Sequence, residues 1–492
     1  METFMADLSY AHGVTLAESA ETPSLLRVQR NGITFVNGTA PNADAAAFPL
    51  NYPTLITSER AAAALGAAGT LLEDVTSVFG EGGSWCIVNR VPDSADPAVQ
   101  QANLLGDPVA RTGLYAALRA KAITGYQPRV VITAGNTGAW IEAGVVSVSM
   151  SEQGAKLTEA PIVEASGGGN DPGKVLPKLE AIMGTGIVDA GKVVAVRVVE
   201  PGKALSQPPT ITFTGGGKEA DKVLPKATAN VGDVANPFIS ALNVITPKIR
   251  ARAYISGPNT TNAEAIRFRR TVNGGRILII DPKTIKNVNG VPVTKPVAAV
   301  FAGIRARVVA SSEGVSGSVS NKIIRTIDGV ARTIAYPEDS NYLNESQVAT
   351  IINERGGFRT WGSRLAIDDP LWQFDSVRAT ADMVNEALED LYFLYVDRKF
   401  TKANLKMMVE DGNAALRVFK NNDDILGGRV WLSDINEPTT LAAGKLFLDV
   451  EFEPVGLMEQ IHVTTHRNIL YYRLLLDEVN GAIETGPLSL AA

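Results

Sequence analysis

Between residues 85 and 135 two kinds of apolar pattern alternate along the chain. WCIVNRV (85–91) and PRVVITAG (128–135) are short continuous apolar runs, the pattern of strands buried on both faces. Between them, RTGLYAALRAK (111–121) reads as a helix. Upstream, LITSERAAAALGAAGTLLEDVTSVFG (55–80) reads as two short helices broken by Gly66 and Gly69. This order predicts an α/β sheet. The same style returns after residue 236. PFISALNVI (237–245), NAEAIRFRRTV (262–272) and PVAAVFAGIRARVVASS (296–312) read as helices, and ARAYISG (251–257) and GRILIIDP (275–282) as strands.

From about residue 136 to 235 helical patterns vanish and Val, Thr, Gly and Pro dominate. VSVSMSEQGAKLTEAPIVEASGGGNDPGKVLPKLEAIMG (146–184) aligns without a gap on VAVRVVEPGKALSQPPTITFTGGGKEADKVLPKATANVG (194–232). A period of about 48 residues with matching turn glycines means one supersecondary unit made twice. The alternation of Val194, Val196 and Val198, and of Ile211 and Phe213, makes it a β unit. Placed between a core strand and a core helix, it reads as an insertion.

The last third differs again. SVRATADMVNEALEDLYFLYVDRKF (376–400) sets Val377, Ala381, Val384, Leu388, Leu391 and Tyr395 on one helical face. TKANLKMMVEDGNAALRVFK (401–420) is a second helix, with Gly412 inside it, and RVWLSD (429–434) is a strand. In KLFLDVEFEPV (445–455), Leu446, Leu448, Val450 and Phe452 alternate with Asp449, Glu451 and Glu453, so one face is wet. EQIHVTTHRNI (459–469) continues as a strand. Near the two chain ends lie GVTLAES (13–19) and the β-prone YYRLLLDEV (471–479). Each end has two readings: a strand lent to another subunit, or a closing strand or helix of its own core.

With 492 residues the chain has room for two to four domains. A net charge of −6 argues against the chain as a whole binding nucleic acid. The single cysteine, Cys86, excludes a disulfide within one chain and reads as a buried small residue. METFMADLSYAHGV lacks the basic and apolar regions of a secretory leader. No apolar run approaches the ~20 residues of a membrane span.

Candidate chemistry is sparse. GGNDPGKV (168–175) and GIVDAGKV (186–193) approach a phosphate-binding loop, but both have valine where the magnesium-holding hydroxyl belongs. His462 and His466, in a strand pattern, would share a face about 13 Å apart, with no third ligand nearby. SEGVSGSVSN (312–321) has no histidine near it in sequence, and Asp368 and Asp369 read as turn carboxylates. RGGFRTWGSR (355–364) is the densest mixture of arginine, glycine and aromatic side chains. It suits a nucleotide pocket, a single-stranded nucleic-acid groove, or a turn that wedges its aromatics into a core.

The wider run LNESQVATIINERGGFRTWGSRLAIDDPLWQFDSVRATADMV (343–384) resembles the signature of tail sheath proteins of contractile-tailed phages. The matching residues are Leu343, Asn344, Glu345, Gly357, Phe358, Arg359, Trp361, Gly362, Arg364, Asp368, Asp369, Pro370, Phe374 and Arg378. Ser363-Arg364-Leu365 departs from that family's Asn-Arg-Thr. SYAHGVTLAE (9–18), AFPLNYPTLIT (47–57), GTLLEDVTSVF (69–79) and AGKLFLDVEFEPV (443–455) extend the resemblance over most of the chain outside 136–235.

The resemblance implies an α/β (α+β) sheath core assembled from N-terminal and C-terminal segments, with an inserted all-β domain and extended terminal arms. The expected division is an N-terminal arm (1–20), core segments at 21–135 and 236–330, the β insert at 136–235, a C-terminal sheath domain (331–467) and a C-terminal arm (468–492). In RGGFRTWGSR, Gly357 and Gly362 would allow tight backbone and Phe358 and Trp361 would fill the core. Arg359 or Arg364 would pair with Asp368 or Asp369. Val14, Leu16, Tyr471, Leu474 and Leu476 would bind the arms to neighbouring subunits. The implied function is structural: no catalytic, cofactor or metal residues, no membrane insertion and no direct nucleic-acid contact. The implied partners are copies of the chain in hexameric rings and a helical polymer, a tail tube protein, and baseplate and tail terminator proteins. The place is the virion tail, assembled in the host cytoplasm. Two alternatives are the sheath of a phage-tail-like bacteriocin or other contractile injection system, and a virion protein whose β insert binds host glycans.

Overall fold

The computed structural model describes residues 32–485, apart from Ser84, Asn136 and Ile187, with side chains as far as Gly481. The expected N-terminal arm, with Val14 and Leu16, lies outside the described residues. The chain up to Val455 is one compact unit, and the chain from Gly456 is a second, small one.

The first unit begins with β1 (Thr34–Thr39), β2 (Thr54–Ile56), α1 (Glu59–Ala62), α2 (Leu71–Gly80), β3 (Cys86–Val91), α3 (Pro97–Leu105), α4 (Ala120–Thr124) and β4 (Val130–Thr133). The insert follows as β5 (Trp140–Glu152), β6 (Ile162–Gly167), β7 (Lys178–Met183), β8 (Val193–Glu200), β9 (Pro209–Thr214) and β10 (Lys226–Ala235). Then come α5 (Pro237–Lys248), β11 (Arg252–Ser256), α6 (Asn262–Thr271), β12 (Ile277–Ile280), a hairpin of β13 (Thr284–Val288) and β14 (Val291–Lys295), and α7 (Ala298–Ala310). β15 (Gly329–Val330), α8 (Glu338–Glu345), β16 (Val348–Asn353) and β17 (Phe358–Trp361) precede the C-terminal layer of α9 (Asp375–Phe393), α10 (Lys402–Asn421), β18 (Ile425–Leu432), α11 (Pro438–Ala442) and β19 (Leu448–Pro454).

One sheet of order β17-β16-β12-β11-β4-β1-β3-β2 is the spine. Its six inner strands are parallel, and β2 and β17 close its edges antiparallel. Helices cover both faces, so strands such as ILII are apolar at every position. Phe35, Val131, Ile277 and Ile279 pack one face with Leu242, Ile245 and Phe268. Val36, Ile132, Leu278 and Ile280 pack the other with Val75, Phe301 and Ile304. Each such side chain contributes about 1.5–3 kcal/mol by burial.

The insert carries the repeat into its pairing. Ala181 pairs with Val196 across β7–β8, and Ala229 with Val148 across β10–β5. Lys178–Glu200 and Lys226–Glu152 likewise correspond. β6 and β9 pair with each other, antiparallel. Each copy therefore lends a strand to the other's ladder, in a pseudo-two-fold arrangement. Its two ends come together, since Trp140 and Ala235 are cross-strand partners. Arg267 of α6 grips this stem, with Nε and Nη2 donating to Asp233 at 2.5 and 2.8 Å and Nη1 to Glu142 at 3.1 Å.

The C-terminal layer has its own core, where Val384, Leu388 and Leu391 of α9 meet Leu416 and Phe419 of α10 and Val430 of β18. Gly412 allows α10 to pass Tyr392, because a Cβ there would strike the phenol oxygen. Leu448 and Phe452 pack on this core from β19, while Val450 is 37% exposed.

Three expectations are corrected. Residues 113–119 of RTGLYAALRAK form a 3-10 helix, and only Ala120–Thr124 is α-helical. Leu114, Ala117 and Ala120 are all buried, and three residues per turn keeps them on one face. EQIHVTTHRNI forms no strand. YYRLLLDEV opens a helix, α12 (Tyr471–Thr485), in the second unit. Three consecutive leucines break strand alternation, and Leu, Arg and Glu favour helix.

Candidate functional site

RGGFRTWGSR is the return arm of a hairpin. β16 and β17 pair from Asn353–Phe358 to Thr350–Trp361, and Arg355 (φ 51°) and Gly356 (φ 87°) make the left-handed corner. Gly357 does not hold the corner, and a Cβ on it would meet open space. Gly362 does need to be glycine: φ is 100°, and a Cβ would press on the Asn344 side chain and the backbone of Ala349. Phe358 and Trp361 are partly buried against opposite faces of the main sheet. Trp361 meets Tyr336 edge-on at 5.3 Å. Arg359 donates to the Asn321 side chain at 3.3 Å, and Arg364 lies 5.8 Å over the Phe374 ring. The arginine that pairs with Asp368 is Arg269 of α6, at 2.8 Å, and Asp369 accepts the Leu371 N–H. Both the pairing and the corner thus differ from expectation, because the partner comes from 99 residues upstream.

The phosphate-loop look-alikes close on themselves. Lys174 Nζ donates to the carbonyls of Gly167 and Gly169 at 3.0 and 2.5 Å, and Lys192 Nζ to the carbonyl of Val188 at 3.0 Å. Each ammonium clamps its own loop. His462 and His466 lie in the second unit, outside any helix or strand.

In an open parallel sheet, ligands bind where the strand order reverses, past the carboxyl ends. Here that place is between β1 and β4. Asn37 donates to the Leu104 carbonyl at 2.8 Å and to Thr133 at 3.0 Å, and Asn89 donates to Asn37 and to the Gly113 carbonyl, both at 2.9 Å. The two asparagine side chains are bonded to each other and to these neighbours, and β4 runs on into the insert.

Two features escaped the sequence reading. The first is a row of acids on α9 that seats the C-terminal layer on the main sheet. Asp375 accepts from Arg252 Nε at 3.0 Å, and Asp382 takes Arg276 through both oxygens at 2.5 and 2.6 Å. Glu386 pairs with Arg129 and Glu389 with Arg250. Apart from the last pair they are buried, Arg276 partly so. The arginines stand at or just before the starts of β4, β11 and β12. Asp375, Asp382 and Glu386 recur at helical spacing, a signal hidden by the apolar stripe beside it. The second feature is Arg305, fully buried in the largely apolar α7, with Nη1 and Nη2 donating to the carbonyls of Gly317 and Val315. On α2, burial and then neighbouring Glu73 push the Asp74 carboxyl up to about 7, against the pull of Lys295.

Among the described residues no helix is long and apolar enough to cross a membrane. α12 exposes Tyr471, Leu474 and Leu476, each by more than half.

A sequence profile for the phage tail sheath protein central domain matches residues 223–364, from the last insert strand through the hairpin. The tail sheath protein of Escherichia phage P2 is 25% identical over 490 residues, covering 96% of this chain and 99% of that protein. A putative prophage major tail sheath protein of Pseudomonas aeruginosa (strain UCBPP-PA14) is 30% identical over 224 residues, 44% of this chain and 58% of its own length. Two solved structures share the fold. One is the anti-feeding prophage baseplate in its contracted state (TM-score 0.57, 15% identity, 94% of this chain and 99% of that one). The other is the PVC sheath complex of an extracellular contractile injection system, also contracted (TM-score 0.55, 13% identity, 94% and 99%). The hairpin signature, the sheet that bears it and these likenesses agree: residues 223–364 match the central domain of phage tail sheath proteins, and the chain as a whole is similar to the tail sheath proteins of contractile-tailed phages.

Proposed function

We propose that the chain is a non-enzymatic structural subunit that polymerises into hexameric rings stacked helically around a tail tube. Contraction of this sheath drives the tube through the host envelope during genome delivery. The observation that carries the reading is the similarity along nearly the whole of both chains to the phage P2 sheath protein. The work comes from packing: subunits pass between two interface arrangements, the contracted one burying more surface. No cofactor takes part. The partners are the tube, baseplate and tail terminator proteins, and assembly takes place in the host cytoplasm.

In this reading residues 1–20 and 468–492 are arms lent to neighbours, through Val14 and Leu16 at one end and Tyr471, Leu474 and Leu476 at the other. The exposed apolar side chains of α12 support it. So does the β18–β19 pair, since a two-stranded sheet is marginal alone and its edges invite further strands. The segments 21–135, 236–330 and 331–467 make the ring-forming core. The insert at 136–235 projects from a single stem and faces outward. A second reading, the sheath of an injection machine, has the fold likeness to the anti-feeding prophage and PVC structures behind it. Finding capsid and terminase genes beside this one would decide for the phage reading.

Negative-stain microscopy of the purified chain tests the function. Tubes or stacked rings are expected; a dispersed monomer at high concentration overturns it.

A further inference from the structure

Four arginines, three of them buried, meet three buried carboxylates where α9 seats on the main sheet. Glu386 takes Arg129 and Asp382 takes Arg276. Asp375 remains for two guanidiniums, Arg252 at 3.0 Å and Arg305 at 3.6 Å, and neither arginine is more than 3% exposed. The Nε of Arg305 and the Oδ2 of Asp375 make no hydrogen bond. Arginine stays protonated in any protein environment, so the surplus charge cannot be relieved by losing a proton. The adjacent Tyr254 phenol does not supply an anion either, because burial, then Asp375, push its ionisation upward. An uncompensated buried charge is strongly unfavourable unless something pairs with it.

A cavity of about 10 Å³ opens at this place. Arg129, Arg252, Arg305 and Asp382 line its polar side, and Val315 and Met383 are among its apolar wall. That is room for one small species. Asp382 does not repel an anion there as a bare carboxylate would, since both of its oxygens are held by Arg276.

We propose that this cavity binds a single small monovalent anion of the halide class, the counter-ion of the Arg252–Arg305 pair. The ion sits among the guanidiniums of Arg129, Arg252 and Arg305 and brings the ionic seat of α9 to neutrality. The C-terminal layer is then fastened to the sheet partly by a dissociable ligand. Urea unfolding of the full chain tests this in sodium chloride or bromide against sodium gluconate at matched ionic strength. Gluconate is too large for the cavity. A halide bound only by the folded chain lowers the unfolding equilibrium constant about tenfold once it reaches roughly ten times its dissociation constant, and the effect keeps growing with concentration above that, about tenfold more for each tenfold rise. Arg305→Met is expected to lose this dependence while keeping the response to gluconate. Coincident curves in halide and gluconate overturn the proposal, as does a folded Arg305→Met that keeps the halide response. Should that variant not fold, crystals of the unaltered chain grown in bromide decide. An anomalous peak between Arg252 and Arg305 supports the site, and density for water without that peak overturns it.

Discussion

Gly362 and Asp368 show how far single residues in the signature could be read. That Gly362 serves tight backbone is what the family resemblance implied, and its φ of 100° supplies the reason. That Asp368 pairs with Arg269 does not follow, because nothing local marks a helix 99 residues earlier as its neighbour. Asp74 was not legible either. An acid in the polar-looking LLEDV gives no sign that α2 turns it inward. Its folded-state ionisation near 7 lies above the ordinary 3.8, so the folded chain holds this proton more tightly than the unfolded one. The stabilisation is complete below about pH 4 and is lost as pH rises through about 7. Asp74→Asn cannot ionise, so its stability is expected to fall less than that of the parent between pH 5 and pH 8. The difference is at most a few kcal/mol, and urea midpoints of both proteins at the two pH values measure it.

At the scale of elements, continuous apolar runs marked the inner strands and a gapless repeat marked the insert. The repeat also contained the register, since every β7–β8 partner pair recurs across β5–β10 at the same offset. What periodicity could not supply was which copy pairs with which. Interlocking of the copies depends on closing loops, and β alternation is silent about that. The ionic seat of α9 was hidden for a related reason: this helix buries its acids where the starts of the inner strands offer arginines, and the two lie far apart in sequence. The interlock has a consequence. Trp140 and Ala235 are cross-strand partners, so their Cα atoms lie about 4.5–5.5 Å apart. Removing residues 140–235 and joining Ala139 to Asn236 through one glycine should leave the main sheet closed. Asn236 still caps α5 by accepting the Phe238 N–H. Thermal unfolding of the excised chain is expected within a few degrees of the parent, with helix content by circular dichroism raised in proportion. Loss of cooperative unfolding would mean that the stem carries core stability.

For the whole molecule, the resemblance pointed to the proteins this chain is similar to along nearly its whole length, while the chain ends were the hardest part to read. β-prone residues at 471–479 argued for a strand; leucine at three successive positions makes a helix that leaves apolar side chains on every side. A monomer gains nothing by displaying Tyr471, Tyr472, Leu474, Leu475 and Leu476 to water, each of them more than half exposed. A polymer gains by covering them, at about 25 cal/mol per Å² of apolar surface buried. The buried apolar core of the described chain ends at Val430, well before this helix. Deleting residues 470–492 is therefore expected to leave a folded, soluble chain whose thermal midpoint matches the parent within a few degrees. It is also expected to abolish tubes and rings in negative stain, with the protein sedimenting as a monomer where the parent assembles. Should the shortened chain build ordinary tubes, the C-terminal segment is not the tie between subunits, and the lattice must be held by the faces of the core alone. Should it lose cooperative unfolding, α12 belongs to the protomer's own stability, and its exposed leucines have another purpose.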